Sequence, residues 1–584
     1  MSVTAGDRAA PISAASFLRR VPVLAELDRE LLKQLAEEAR TIELRAGEWL
    51  VREDDPAESL FVIRSGRLEV ISEAPPEQLI RVLRRGDVLG ELALLQRGVR
   101  TASVRASRDS DLLELGRDQF EALIRDAPAF AVGLTRAMAA QLAASRAPVF
   151  ATPPPRIISV ISLEEGADAD GIGRLLATEL ERHGPVAELR ADPGRSEIDT
   201  VAALDRIERA GERALLISNA PTPDDPWTDL CLREPELVIA VTNGAPKQQW
   251  IDRPHALRGC ELLVSGAGIG DHVIERLAPR EVQVIAEPGD LVPRLAATAR
   301  RLTGRSLGVV LSGGGARAFA HLGVLEELAA SGVVIDRVGA VSMGAIIGAS
   351  FAAGIDVATI GETMQAEFVA VNPTGDYTVP LFSLVRGRRT RSGLHTHFSA
   401  LRIESLPRRF FCLSCDLVAR ESVVHRTGSL YDAVRASLGI PGIFPPIATA
   451  DGRLLVDGGV LDNLPVATMA RTGEGPVIAV DVSAQSGDFK RRHGPLRTAM
   501  GRPLRRYLTG SEAEIPRLTE TIVRTLTVGS VDTAAAARRH AELVIQPQLE
   551  GIGLMDWRRL DDARAAGREA ARLALATAPE WALG

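Results

Sequence analysis

Cysteine is scarce, with four in 584 residues. That is too few for a disulfide framework and points to a reducing, cytoplasmic home. A basic excess is lacking as well. Lys and Arg number 69 against 76 Asp and Glu, a net charge of −7, so no global surplus exists to hold nucleic acid by phosphate neutralisation. The first twenty residues, MSVTAGDRAAPISAASFLRR, lack the charged start and apolar core of a signal peptide. The longest charge-free apolar run, 338–355, reaches the lower length limit of a membrane span. It is interrupted by Gly339, Ser342, Gly344, Gly348, Ser350 and Gly354, and reads as a buried strand, turn and helix. Any membrane contact is then peripheral. What remains is an ordinary globular balance, 46% hydrophobic and 25% charged, in a chain long enough for about three domains.

Punctuation divides the chain into 15–145, 156–303 and 305–580. The first segment opens with a helical run at 17–40, continues as short apolar runs broken at Gly47, Gly66 and Gly86, and closes with a second helix at 117–144. That spacing suggests an all-β unit flanked by helices. Ala151-Thr152-Pro153-Pro154-Pro155 reads as a stiff linker. The middle segment alternates strand and helix candidates, with strands at 157–163, 214–218, 237–242, 262–264 and 282–285. This rhythm predicts a doubly wound parallel sheet. Gly266-Ala267-Gly268-Ile269-Gly270 does not follow a first strand with dinucleotide spacing, so no bound NAD is expected there.

Chemistry concentrates in four motifs. In the first segment, Gly90-Glu91-Leu92 opens a short helix, and Arg100-Thr101-Ala102 follows nine residues on. A helix start offers free amides to a phosphate, an arginine adds a planar fork, and a glutamate suits a ribose hydroxyl. In the third segment, Ser312-Gly313-Gly314-Gly315-Ala316-Arg317 lies between a strand and a helix. Such a nest binds a phosphate or the oxyanion of acyl transfer, and the lack of Lys-Ser or Lys-Thr disfavours a nucleotide phosphate. Val341-Ser342-Met343-Gly344 sits where a nucleophile elbow would place a serine. Leu455-Val456-Asp457-Gly458-Gly459 puts an aspartate at a strand end, where it can serve as the base. None of the nine histidines has a comparable setting, although His321, His395, His397 and His425 stay open as alternatives.

The cassette in the first segment resembles the phosphate-binding cassette of cyclic nucleotide-binding domains. The resemblance implies that Gly90, Glu91, Leu92, Arg100, Thr101 and Ala102 line a site for cAMP or cGMP, with Arg100 on the cyclic phosphate. The three motifs of the third segment resemble the patatin-like phospholipases, with the motif core at about 309–470. This implies a Ser342–Asp457 dyad and an oxyanion loop of Gly313, Gly314, Gly315 and Arg317, with no metal and no cofactor for catalysis. Pro226-Trp227-Thr228-Asp229-Leu230-Cys231, Arg301-Leu302-Thr303-Gly304 and the stretch from Arg435 to Pro446 are similar to the neuropathy target esterase branch. The implied whole is a multidomain α/β protein: an N-terminal β-roll with flanking helices, a Rossmann-like middle domain and a patatin-like α/β hydrolase domain. The implied activity is hydrolysis of fatty-acyl esters, with lysophospholipid the favoured class. The rival reading is a non-catalytic, cyclic-nucleotide-responsive scaffold. One departure stands out: Ala340 occupies a place where the branch usually has glycine, and a Cβ costs on the order of 1 kcal/mol if the backbone there needs positive φ. Ala318 departs similarly.

Two further signals are read blandly. Cys412 and Cys415, three apart in an apolar run, are expected as core residues on opposite faces of a strand. Arginine-rich stretches at 386–391 and 490–506 are expected as solvated loops with some attraction for anionic lipid.

Overall fold

The structure is a computed structural model that describes residues 17–577 apart from 20, 22, 25–26, 46, 73–77, 84, 97, 107–109, 129, 137, 139–153, 267, 374, 380 and 484–529. The N-terminal stretch, the linker at 151–153, the end of the second helix of the first segment and the basic stretch 490–506 therefore lie outside the described residues. By compactness the chain forms two units, Met1–Val149 with Pro155–Ala296, and Phe150–Pro154 with Ala297–Gly584.

The first unit begins with a β-roll of two four-stranded antiparallel sheets. The strand Ser59–Ser65 is buried almost throughout because its two faces meet different cores. Phe61 and Ile63 pack with Leu68, Leu83 and Val104 inside the roll, while Leu60 and Val62 pack against Leu32, Leu35, Phe120 and Leu123 of the flanking helices. Those helices are shorter than the apolar runs suggest. The first is Arg29–Glu38, and Arg40 already starts a strand. Ahead of it, Leu18, Val21, Leu24 and Leu27 are buried in successive turns, a course that suits a segment whose Pro22 has no amide hydrogen to give. The predicted second helix is broken: Arg117–Asp126 stops where Ala127 turns to φ −126° and ψ 82°, and the chain is helical again at 130–136. Pro128 follows Ala127, and a residue before proline is pushed out of the helical region.

The same unit holds a six-stranded, wholly parallel sheet in the order Val186–Arg190, Arg213–Ser218, Ile157–Ser162, Leu237–Thr242, Glu261–Ser265, Glu281–Ile285. The sequence pattern did not reveal Val186–Arg190, a half-exposed edge strand with one buried residue.

The second unit is built on an eight-stranded mixed sheet. Its parallel core runs Arg409–Asp416, Arg337–Val341, Gly308–Leu311, Val477–Val480, Leu543–Ile545. Leu454–Asp457 joins antiparallel to Arg409–Asp416, with Ser414 opposite Asp457. The apolar run at 338–355 resolves into the end of one strand and the helix Met343–Ala352, all of it buried. No described helix is long and apolar enough to cross a membrane.

Candidate active site

Two neighbouring parallel strands, Gly308–Leu311 and Arg337–Val341, deliver the glycine loop and Ser342 to the same end of the sheet. Among the described residues Ser342 is one of five non-glycine residues at positive φ, with φ 55° and ψ −131°. Holding a residue there costs on the order of 1–3 kcal/mol and requires surroundings that over-determine it. Its amide donates to the Ser437 hydroxyl at 2.9 Å, and its carbonyl accepts from Ala345 at 2.8 Å. Gly344 lets the following helix slide under the glycine loop, since a Cβ there would stand 2.6 Å from the Ser312 carbonyl.

The strain aims the serine at a carboxylate. Ser342 Oγ donates to Asp457 Oδ2 at 2.5 Å. Asp457 Oδ1 accepts the Gly459 amide at 2.8 Å, and the Asp457 amide is tied to the Gly439 carbonyl at 3.0 Å. Both side chains are buried. Burial pushes the Asp457 carboxyl up to about 6, against the lowering effect of the bonds from Ser342 and Gly459. A carboxylate so placed can take a proton from a hydroxyl and return it near neutral pH.

The four alternative histidines face elsewhere. His321 is fully buried with Nε2 on the Ser312 carbonyl at 2.8 Å, and burial pushes it down to about 4. His425 Nε2 pairs with the Ser414 hydroxyl at 2.7 Å, and burial pushes it likewise down to about 4. His395 stacks edge-on with Tyr431, and His397 stands 4.0 Å from Glu367.

Within the glycine loop the amides divide. Gly313 donates to the Asn463 carbonyl at 3.3 Å, whereas those of Gly314 and Gly315 have no partner among the described residues. The Arg317 guanidinium turns inward, buried, onto the Leu549 carbonyl at 3.2 Å. Gly458 and Gly459 form a tight turn directly after Asp457. Ala340 lies inside its strand, outside the positive-φ residues, and its Cβ faces Gly348. The feared turn penalty does not arise, because the positive φ falls two residues later. Ala318 is equally buried. Two residues that the sequence did not single out hold the site together. Ser437 supports the elbow amide, and Asn463 links the glycine loop to the Asp motif through Nδ2 to Gly313 O at 3.1 Å. Ser437 sits in the stretch from Arg435 to Pro446 and Asn463 four residues past Gly459, but nothing in the pattern marks their side chains.

An apolar cavity begins one turn past the serine, lined by Ile346, Ile360, Met364, Phe368, Leu394 and Phe398. The buried pair Cys412 and Cys415 shares the strand Arg409–Asp416.

In the first unit the structure brings Gly90 and Arg100 of the cassette together. Gly90 adopts φ +94°, and a Cβ on it would stand 2.5 Å from Arg100 Nη1. Glu91 starts the short helix Glu91–Gln96 and is buried. The buried Arg100 guanidinium donates to the Ser59 carbonyl at 3.0 Å, and burial pushes its proton affinity down. Leu92 and Thr101 are exposed, and Ala102 is half-buried.

The family described as patatin-like phospholipase matches residues 309–470, and the cyclic nucleotide-binding domain matches residues 41–127. An NTE family protein of Mycobacterium tuberculosis (strain ATCC 25618 / H37Rv) is 35% identical over 587 residues, covering 97% of each chain. Neuropathy target esterase sws of Drosophila melanogaster is 28% identical, over 76% of this chain and 36% of its own length. Patatin-like phospholipase domain-containing protein 7 of Mus musculus is 27% identical, over 76% of this chain and 38% of its own.

Proposed function

This chain belongs to the NTE family, with a patatin-like phospholipase domain behind a cyclic nucleotide-binding domain, and from that premise we propose that it is a serine esterase acting on fatty-acyl esters of the lysophospholipid class. The family supports a lipid hydrolase; the ester chemistry and the residues are our reading. The observation that carries it is the 2.5 Å bond from the Ser342 hydroxyl to Asp457, made from a strained elbow.

Ser342 Oγ attacks the acyl carbonyl carbon as its proton passes to Asp457 Oδ2. The carbonyl oxygen gains the charge and is met by the Gly314 and Gly315 amides, the two in the loop not engaged elsewhere among the described residues. Collapse breaks the ester C–O bond, and Asp457 returns the proton to the departing alkoxide. Water then attacks the acyl-serine, giving its proton to Asp457, and the fatty acid leaves with Ser342 restored. The apolar cavity past Ile346 suits the acyl chain.

The first segment, 15–145, is proposed as a regulatory domain for cAMP or cGMP that uses Glu91 and Arg100. Residues 156–303 would form the middle domain and 305–580 the hydrolase. Four free, buried cysteines suit a reducing compartment.

Labelling by a fluorophosphonate probe tests the catalytic reading. Wild type should label and Ser342→Ala should not. A well-folded wild type that stays unlabelled favours the non-catalytic scaffold.

A further inference from the structure

The four most exposed large apolar side chains among the described residues fall within six positions of one another. Tyr377 is 71% exposed, Val379 71%, Leu381 78% and Phe382 83%. A solvated loop has no reason to concentrate its apolar residues in this way. Nor is the segment loosely attached. Tyr377 bridges Val385, and the Thr378 amide donates to the Leu384 carbonyl at 3.0 Å. The return arm docks on the backbone, Leu384 to Gly442 at 2.9 Å and Val385 to Ile443 at 3.0 Å. Val385 and Ile443 are buried together against Ile440 and Phe444. The base of the hairpin is ordered while its tip is bare.

The hairpin also stands beside the catalytic residues. The segment that receives it begins at Gly439, whose carbonyl holds the Asp457 amide, two residues after Ser437, which holds the Ser342 amide. A second apolar protrusion rises at the same end of the sheet. Leu417 and Val418, the latter 67% exposed, follow the strand Arg409–Asp416, beyond the level where Ser414 faces Asp457.

Charge completes the pattern. No charged residue occurs between Asp376 and Arg386. At the base, Arg386, Arg388 and Arg389 are exposed. Asp376 there is occupied in closing the hairpin, accepting the Arg386 and Arg388 amides. An apolar, aromatic-bearing tip above a collar of arginines matches the depth profile of a lipid interface, with acyl chains below and anionic headgroups above.

We infer that the exposed side chains of this hairpin, Tyr377, Val379, Leu381 and Phe382, insert into the surface of an anionic bilayer and seat the catalytic residues at the membrane. The inference rests on the lipid-esterase reading for its choice of partner, and it makes the enzyme interfacial: substrate passes from the lipid layer to Ser342 without crossing bulk water. A protein partner or a second copy of the chain would also cover apolar residues. Neither accounts for the arginine collar beside a site for acyl lipids.

The test uses the full chain carrying Ser342→Ala, so that binding is read without hydrolysis. Sedimentation with vesicles of phosphatidylcholine and phosphatidylglycerol should pull the protein down, and pure phosphatidylcholine should do so less well. Leu381→Asp with Phe382→Asp should weaken partitioning about tenfold or more, given the apolar area withdrawn. Arg386→Gln with Arg388→Gln should weaken it and blunt its salt dependence. In a Phe382→Trp variant the indole emission should shift to the blue on vesicle binding. Vesicle binding unaffected by the aspartates, or no blue shift in the bound tryptophan variant, overturns the inference. So does a vesicle-indifferent protein whose self-association the aspartates abolish. Wild-type hydrolysis of a water-soluble short-chain ester, measured alongside, reports on the esterase reading alone. Its failure with vesicle binding intact would remove the enzyme and leave the membrane surface.

Discussion

Asp457→Asn exchanges a buried carboxyl for a neutral amide of nearly the same shape, and its consequences for stability and catalysis run in opposite directions. The folded-state carboxyl is raised from 3.8 to about 6, chiefly by burial. A carboxyl raised by folding contributes stability that is complete below its unfolded value and is lost as pH rises through its folded one. Two units correspond to about 3 kcal/mol withheld from the native state above neutrality. Asparagine cannot ionise, so that cost disappears. The Gly459 amide keeps an acceptor in the new Oδ1, and disturbance of the Ser342 bond returns roughly 1 kcal/mol. The variant is therefore expected to be more stable than wild type by about 1–3 kcal/mol above pH 7, with the gap closing towards about pH 4. Turnover should meanwhile fall by ~10²–10⁴, and the wild-type acid limb of kcat/KM should bend near pH 6, where Asp457 loses its proton. Thermal unfolding of the full chain across this pH range, beside ester hydrolysis, gives both curves. A stability gap independent of pH would refute the burial argument. Near-normal turnover would make a histidine the base, although His321 and His425 are both bonded elsewhere.

Arg100→Ala should weaken binding of cAMP or cGMP at least tenfold by calorimetry on the full chain, since a buried charge-assisted contact is worth ~2–5 kcal/mol. Ester hydrolysis with and without saturating nucleotide then tests coupling, which requires the ligand to distinguish two states. Glu474→Gln should destabilise the second unit by about 3–5 kcal/mol, because it strips three guanidiniums of their shared counter-ion. Glu474 meets Arg409 at 2.7 Å, Arg337 at 3.5 Å and Arg301 at 3.6 Å. Although burial alone would raise this carboxyl, Arg409, Arg301 and Arg337 hold it down at about 2. Its contribution is present above about pH 4.5 and is lost as pH falls towards 2, so acid unfolding of wild type should show a component that the variant lacks.

By itself the sequence determined the order of the parts and marked the groups proposed here to react. Parallel strands buried on both faces announce themselves as apolar runs, and a glycine nest, an elbow serine and a strand-end aspartate are each local patterns. It also carried both members of the nucleotide cassette, which lie nine residues apart. The break ahead of the first flanking helix escaped notice because Leu18, Val21, Leu24 and Leu27 are spaced like a helix face. The edge strand Val186–Arg190 was missed because exposure removes the apolar signal. Only the tertiary structure decided which glycine amides are engaged, since that depends on Asn463, 150 residues from Gly313. It alone showed that Ala340 sits within a strand, moving the strained φ to Ser342. The exposure of Tyr377, Val379, Leu381 and Phe382 belongs to the same class, because an apolar run reads alike whether packing covers it or not. Composition reports what a side chain prefers; only the fold establishes whether that preference has been met.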